Sequence, residues 1–327
     1  MASGAQGHRI VTLTLNPAVE LVLESPGFAR QRRPDAAART IARLPGGKGG
    51  NVSRALADLG VASVSCGPVG REAAEFFRGG LAAHAGGLAR SGHTPASARV
   101  RTAVTIIDPE SGQDFHAREA GEAPSADEVV SLGEDVLALC APGVTLALCG
   151  SAPPGMDAGF AVDLARAAAA RGARVAADVS GAFLRAALRE PLWLVKVNAE
   201  ELGEAVGGRT VSETEAVRAM VDALATPSGP RAIIVTLGED GAVLMRRDGA
   251  GLRARCGLGA ARVVSAVGAG DAFLAGLLAG LGTHEDWSNG MRWAVAAGAA
   301  CAARAEPGAV DPALHQELAR HAEVGPL

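Results

Sequence analysis

Tyrosine is absent from this chain, and seven Phe with three Trp leave only 3% of its 327 residues aromatic. A core of that composition must be built from Ala, Val and Leu, while 43 glycines supply turns and close backbone approaches. Cys66, Cys140, Cys149, Cys256 and Cys301 form no CxxC pair, and an odd count argues against a disulfide framework. Cys149 lies in an apolar run and reads as a reduced, buried thiol, so a reducing cytoplasm is expected. The first ten residues, MASGAQGHRI, hold no apolar signal core, and no run is long and apolar enough to span a bilayer. Segment 294–303, AVAAGAACAA, reads as a packed helix. A net charge of −4 gives no global field for nucleic acid or an anionic membrane, so neither is an expected partner. Any phosphate must be bound by a local cluster.

What is present is alternation. Apolar, β-prone runs at Ile10–Leu15, Val61–Cys66, Val144–Cys149, Arg174–Asp178, Leu192–Val197 and Arg231–Leu237 suit buried strands. Between them, Asn51–Leu59, Asp157–Arg171, Glu200–Val206 and Ser212–Leu224 carry helical spacing. Strand, helix, strand repetition predicts an α/β fold with a mostly parallel sheet covered on both faces. Such sheets bind ligands beyond the carboxyl ends of their strands. Val19–Leu23 with Ala38–Ala42, and Ala98–Ile107 with Gln113–Arg118, read as short strands without helices between them. They predict an antiparallel flap inserted into the first half, from about 18–43 and 96–120. No repeat or linker divides the chain, so 1–327 reads as one domain.

The most informative local pattern is Val264-Ser-Ala-Val-Gly268-Ala269-Gly270-Asp271, followed by an apolar helix through Leu281. Glycines at a strand-to-helix turn let backbone N–H groups converge, and a helix start adds positive potential, which suits phosphate. A carboxylate placed there is costly unless it must accept a proton, as a general base would. Asp271 could equally cap the helix, and these residues alone leave both readings open. The motif is not a dinucleotide fingerprint, because Phe273 takes the place of the third glycine. Nor is there a Walker loop: Lys48 is followed by Gly49 rather than Ser or Thr.

Gly46, Gly47, Gly49 and Gly50 surround Lys48 just before a helix expected to begin near Asn51. Close approach of a ligand explains that density of glycine. Leu194-Val-Lys196-Val-Asn198-Ala-Glu200-Glu201 closes a strand and opens a helix. Asn198 and Glu201 match a capping box, and they could also stand near a hydrated magnesium ion. Thr236-Leu-Gly238-Glu-Asp-Gly241 reads as strand, turn and strand. Asn16 and Glu20 follow the first strand, where they could meet hydroxyl groups. Arg101 could clamp a phosphate bidentately.

In this order the segments resemble the PfkB (ribokinase-like) family of carbohydrate kinases, in its 1-phosphofructokinase and tagatose-6-phosphate kinase branch. The landmarks are Thr14-Leu-Asn-Pro-Ala, Gly46-Gly-Lys-Gly-x-Asn51-Val, Gly150-Ser-x-Pro-Pro-Gly155, Leu194-Val-Lys-x-Asn-x-x-Glu201 and Val267-Gly-Ala-Gly-Asp271. The resemblance implies a Rossmann-like three-layer α/β/α core with a small β lid, and transfer of the γ-phosphoryl group of ATP to a sugar-phosphate hydroxyl. It implies Asp271 as base, with Gly268, Ala269 and Gly270 as the anion hole. Lys196, Asn198, Thr236, Gly238 and Gly241 would line the nucleotide, with Val295, Gly298 and Ala299 near adenine. Glu201, beside Asn198, would steer Mg2+ through water. Asn16, Gly46, Gly47, Lys48, Asn51, Arg101 and Ser151 would hold the acceptor, together with Glu20.

Three positions depart from the branch. Glu20 stands where Asp is usual, and its added methylene is expected to push the carboxylate outward. Ala103 replaces a usual Asn, and residue 105 is Thr. A sugar-like acceptor such as a cyclitol phosphate is therefore an expectation beside a phosphosugar. Competing readings are a kinase of an unphosphorylated sugar or nucleoside, and a catalytically silent sugar-phosphate-binding regulator. The resemblance also implies a homodimer through the lid.

Overall fold

The computed structural model describes residues 9–30, 37–208, 210–258, 263–282 and 284–327, with Ala158 described by its backbone alone. The first eight residues of the amino-terminal reading and lid positions 31–36 lie outside that set.

The chain opens with β1 (Arg9–Thr14), whose alternate side chains enter two different cores: Ile10 on one face, Val11 and Leu13 on the other. It leaves the main sheet for β2 (Ala18–Glu24) and β3 (Arg39–Gly46), then returns through α1 (Lys48–Asp58). Next come β4 (Ser63–Cys66), β5 (Pro68–Gly70), α2 (Ala74–Ala83), β6 (Ala89–Ser91) and β7 (Thr94–Ala96). A second excursion forms β8 (Arg101–Asp108) and β9 (Gln113–Arg118). Regular alternation then takes over: α3 (Ala126–Leu139), β10 (Val144–Gly150), α4 (Ala158–Ala170), β11 (Arg174–Val179), α5 (Gly181–Ala187) and β12 (Leu194–Asn198). It continues with α6 (Ala199–Val206), α7 (Glu213–Ala225), β13 (Ala232–Thr236), β14 (Ala242–Arg246) and β15 (Gly251–Arg255). The last elements are α8 (Ala269–Leu281), α9 (Trp287–Ala302), α10 (Pro312–His321) and β16 (Glu323–Pro326).

The main sheet runs β16-β15-β14-β13-β12-β11-β10-β1-β4-β6. From β6 to β13 every pairing is parallel, and the three beyond β13 are antiparallel. Strands covered on both faces cannot alternate apolar with polar, and all seven residues of β10 are buried. One face packs α1, α8, α9 and α10; the other packs α3 to α7. This is the expected three-layer α/β/α arrangement. Ser125, Asn198 and Ser212 open α3, α6 and α7 as capping boxes, fixing where those helices begin.

After β1 the chain builds β4 on one side and later β10 on the other. The order of strands therefore reverses around β1, and a crevice opens at the carboxyl ends of β1 and β10. Over it stands a second sheet, β3-β2-β8-β9. Its outer pairs are antiparallel, but β2 and β8 run parallel, which corrects the expected antiparallel flap. The reason is connectivity: β8 is reached only after the long passage from α1 to β7, and such a crossover returns the chain in its original direction.

Candidate active site

Gly268 makes the turn into α8 with φ 80°, and a Cβ there would stand 2.3 Å from the backbone nitrogen of Gly308. Only glycine fits both restraints. The N–H groups of Gly268 and Gly270 have no hydrogen-bond partner among the described residues and border the cavity. The positive end of α8 adds to their field. An anion is the guest this turn suits.

Asp271 sits in the first turn of α8 but does not cap it, since the helix has no side-chain cap. Its Oδ2 instead accepts from Nδ2 of Asn51 at 2.9 Å. Burial pushes the carboxyl up to about 7; nearby Asp178 works the same way, against Lys48, the Asn51 amide and Lys196. A carboxyl poised near neutrality can take a proton and release it.

The start of α1 is drawn onto the end of β1. The N–H of Gly49 donates to Thr14 Oγ1 at 2.8 Å, and Thr12 Oγ1 donates to Gly49 O at 2.9 Å. The helix begins at Lys48 rather than near Asn51, which puts Asn51 inside its first turns. Lys48 Nζ donates to Asp178 Oδ1 at 3.1 Å and to Glu201 Oε1 at 3.2 Å. Lys196 Nζ donates to the other oxygen of Asp178 at 2.8 Å and lies 3.0 Å from where a Cβ on Gly270 would be. Burial alone would raise Asp178, but Lys196 and Lys48 hold it below its ordinary value. Burial would lower Lys48, yet Asp178, Glu201 and Asp271 raise it, so it stays charged. Asp178 thus fixes two ammonium groups between the anion turn and the crevice. Cys149, fully enclosed beside these charges, has its thiol pushed well above its usual range, in keeping with a buried reduced cysteine.

Glu20 departs from expectation. Its carboxylate is not pushed outward but folded back within the cavity wall toward Gly46, where a Cβ would stand 2.4 Å from Glu20 Cδ. Oε1 accepts from Gly47 N at 3.2 Å and from Asn51 Nδ2 at 3.0 Å, while Oε2 lies 3.6 Å from Nη2 of Arg54. The missing side chain at Gly46 makes the room, and Gly46, expected against the acceptor, lies behind Glu20 instead of lining the cavity. Arg54 is only 2% exposed. It donates to the carbonyls of Pro45 and Pro307 and, at 2.8 Å, to Oδ1 of Asn51.

Every other sequence-predicted residue borders one cavity of about 1200 Å³. Ser151 follows β10, Thr236 ends β13, and Gly238 and Gly241 bracket a short 3-10 turn. Val295, Gly298 and Ala299 present one side of α9 to the far end. Asn198 and Glu201 form the capping box, and Glu201 also takes Lys48. Among the described residues no cluster of three or more His, Cys, Asp or Glu side chains could hold a bare metal ion. Arg101 is fixed by Asn16 O at 3.1 Å and Glu119 O at 3.2 Å. Sequence reasoning missed Asp178, Arg54, His116 and Arg118. Asp178 left a trace as the one acid inside the apolar run 175–179.

A sheet covered on both faces, a glycine anion turn carrying a buried carboxylate, and a lid across the switch point define a small-molecule kinase of ribokinase-like fold. A family signature described as pfkB family carbohydrate kinase matches residues 14–314. The chain is 37% identical over 276 residues to the 1-phosphofructokinase of Rhodobacter capsulatus, covering 83% of each. Its fold matches Escherichia coli phosphofructokinase-2 in complex with substrates and products: TM-score 0.82, 26% identity, 96% of this chain and 99% of that one. Arabidopsis thaliana ribokinase, at 19% identity and TM-score 0.66, shares the fold over 96% of this chain and 99% of its own. The chain belongs to the pfkB family of carbohydrate kinases and is an ATP-dependent phosphotransferase acting on a hydroxyl of a sugar phosphate. No helix among the described residues is long and apolar enough to cross a membrane.

Proposed function

We propose that Asp271 is the catalytic base, that the acceptor is a phosphofructose-like ketose phosphate, and that the whole chain works as one lidded kinase domain. The observation that carries this is the buried Asp271 carboxylate, set at the anion turn and raised to about 7. Oδ1 of Asp271 has no partner among the described residues, so it is the oxygen for an acceptor hydroxyl.

The hydroxyl proton passes to Asp271 as the alcohol oxygen attacks the γ-phosphorus in line. The N–H groups at Gly268 and Gly270, with Ala269 between them, face the charge that spreads over the transferring group. Lys196 neutralises phosphate charge on the nucleotide side and Lys48 does so nearer the acceptor, both held by Asp178. Asn198, Thr236, Gly238 and Gly241 carry the rest of the nucleotide, and Val295, Gly298 and Ala299 give the base an apolar wall. Asn16, Gly47, Asn51, Arg101 and Ser151 orient the acceptor, and Glu20 acts through Asn51. Lid closure keeps water out and so limits hydrolysis of ATP.

The donor set fits Mg2+ as a hydrated ion. Glu201 is committed to a cap and a lysine, but its carboxylate oxygens can still accept from metal-bound water, with Asn198 beside it. When bound, Mg2+ supplies charge neutralisation on the ATP phosphates. A homodimer through the lid is supported by its outer face, where Phe115 is 54% exposed and Leu21, Val104 and Ile106 are half-buried. The relative from E. coli also forms a tetramer in its inhibited state. Five free thiols, four of them buried, favour a reducing compartment such as the cytoplasm.

Acceptor identity is tested by following ADP release with fructose 1-phosphate, fructose 6-phosphate, tagatose 6-phosphate, cyclitol phosphates and the unphosphorylated parents. The expected result is highest kcat/KM on a ketose phosphate with ATP and magnesium. The inward-turned Glu20 and small Ala103 favour a cyclitol phosphate as the second choice. Turnover confined to unphosphorylated sugars or nucleosides would overturn the proposal.

A further inference from the structure

The lid's inner face carries more basic groups than Arg101 alone. In the register of the lid sheet, Glu20 of β2, Ala103 of β8 and Arg118 of β9 form one cross-strand row. Arg101 and His116 each sit two residues earlier on β8 and β9, and side chains two apart on a strand share a face. All five residues line the cavity. Ala103 is 4% exposed and contributes only a methyl group, so little stands between Glu20 and Arg118 at that level.

The three basic groups differ in how they are held. Arg101 spends Nε and Nη1 on backbone carbonyls, which fixes the plane of its guanidinium. Thr105 Oγ1 lies 2.9 Å from Nδ1 of His116, leaving Nε2 as the ring nitrogen without a partner among the described residues. The guanidinium of Arg118 makes no hydrogen bond or ion pair among the described residues, and it is exposed to the cleft. The groups also repel one another. Burial and then Arg118 hold Arg101 below its ordinary value, with Glu20 opposing. Burial and then Arg118 likewise push His116 down, so its imidazole is neutral near pH 7. Like charges on neighbouring strands cost energy that a bound dianion would relieve.

We infer that Arg118 reaches past the methyl of Ala103 and, with Arg101, grips the phosphoryl group that the acceptor already carries, while Nε2 of His116 lends a further contact. The inference rests on the kinase reading of this cleft and adds to it a second guanidinium, that of Arg118, on the acceptor's own phosphate. Two guanidinium groups suit the several oxygens of a phosphate monoester, which one arginine cannot cover. Arg118 is then a specificity-determining residue, selecting acceptors with a dianionic group well away from the hydroxyl that reacts. A larger side chain at 103 would fill the gap that Arg118 uses.

The test uses Arg118→Gln and Arg118→Lys; the position is exposed, so neither change threatens the fold. With the best sugar phosphate, Arg118→Gln should raise the acceptor KM about 30-fold, the cost of a lost charge-assisted contact. Its kcat and its KM for ATP should stay within about twofold. Arg118→Lys should fall between, keeping charge without the fork. A readout independent of turnover is thermal stabilisation by inorganic phosphate. Wild type should show it and Arg118→Gln should lose most of it. Unchanged acceptor KM, or undiminished stabilisation by phosphate in Arg118→Gln, would overturn the inference, as would a wild type that phosphate does not stabilise. A wild type that binds phosphate through Arg118 but phosphorylates no sugar phosphate would overturn the acceptor assignment and leave the anion site standing.

Discussion

Nδ2 of Asn51 lies 2.9 Å from Oδ2 of Asp271, joining the first turns of α1 to the first turn of α8. The same nitrogen reaches Glu20 at 3.0 Å, and Arg54 fixes the amide by taking its oxygen. One amide therefore links α1, the lid strand β2 and Asp271, the proposed base.

That contact favours the ionised form of Asp271, so its removal should raise an already raised carboxyl further. The kcat/KM of wild type should rise with pH and level off above about 7, because Asp271 as the proposed base must be deprotonated. Asn51→Leu should shift the midpoint of that limb upward by about one pH unit, the worth of a hydrogen bond to a charged group. A midpoint that stays put or moves down would show that the amide does not set the base.

Asp271 is also a stability element with a defined sign. Its folded value, about 7, exceeds the ordinary carboxylate value, so the fold prefers the neutral form. Relative to Asp271→Asn, wild type loses stability as pH climbs from about 4 to about 7, and the difference is constant above. Melting curves at pH 8 should place the variant roughly 3–8 °C higher, with the gap closing toward pH 4. A variant less stable than wild type at pH 8 would contradict the assigned direction.

Arg54 holds three elements together from a site that water does not reach. Arg54→Met leaves Glu20 buried without its cation and two carbonyls without donors. Breaking such a pair from one side costs about 3–5 kcal/mol, to be read from urea unfolding. A loss under about 1 kcal/mol would mean that the guanidinium is not needed to compensate these groups.

The anion turn makes a sharp comparison between two glycines with positive φ. At Gly268 an alanine methyl would strike the Pro307–Gly308 backbone, whereas at Gly282 it would meet nothing within 4 Å among the described residues. Gly268→Ala should abolish most activity and lower the melting temperature markedly. Gly282→Ala, at φ 55° and ψ −153°, should cost only about 1–3 kcal/mol of backbone strain and keep kcat/KM. Equal, mild effects at both positions would show that the turn tolerates displacement.

Much of this site was legible because its backbone features are local. Gly268–Asp271 and Gly46–Asn51 announce helix starts and close approaches within a few residues, and the alternation from Val144 to Thr236 announces the parallel sheet. What stayed hidden depends on residues far apart in sequence. Asp178 matters because of Lys48, 130 positions away, and Arg54 because of the Pro307 carbonyl, 253 positions away. Glu20 turned inward because Gly46 and Arg54 receive it, which one strand's pattern cannot reveal. The parallel pairing of β2 with β8 likewise follows from a crossover, whereas local periodicity specifies only strands. Strands β15 and β16, at one edge of the main sheet, were not read because short edge strands give little periodicity, and helices α2, α3, α5 and α10 were not read either.

In the proposed mechanism Asp271 takes the proton of the attacking hydroxyl. Its most direct test is the kcat of Asp271→Asn at pH 8, with ATP, magnesium and the best sugar phosphate all saturating. A fall of about 10³-fold is expected, within the range of general-base catalysis, with the KM for ATP changed by no more than about threefold. A variant that kept more than about a tenth of wild-type turnover would contradict it.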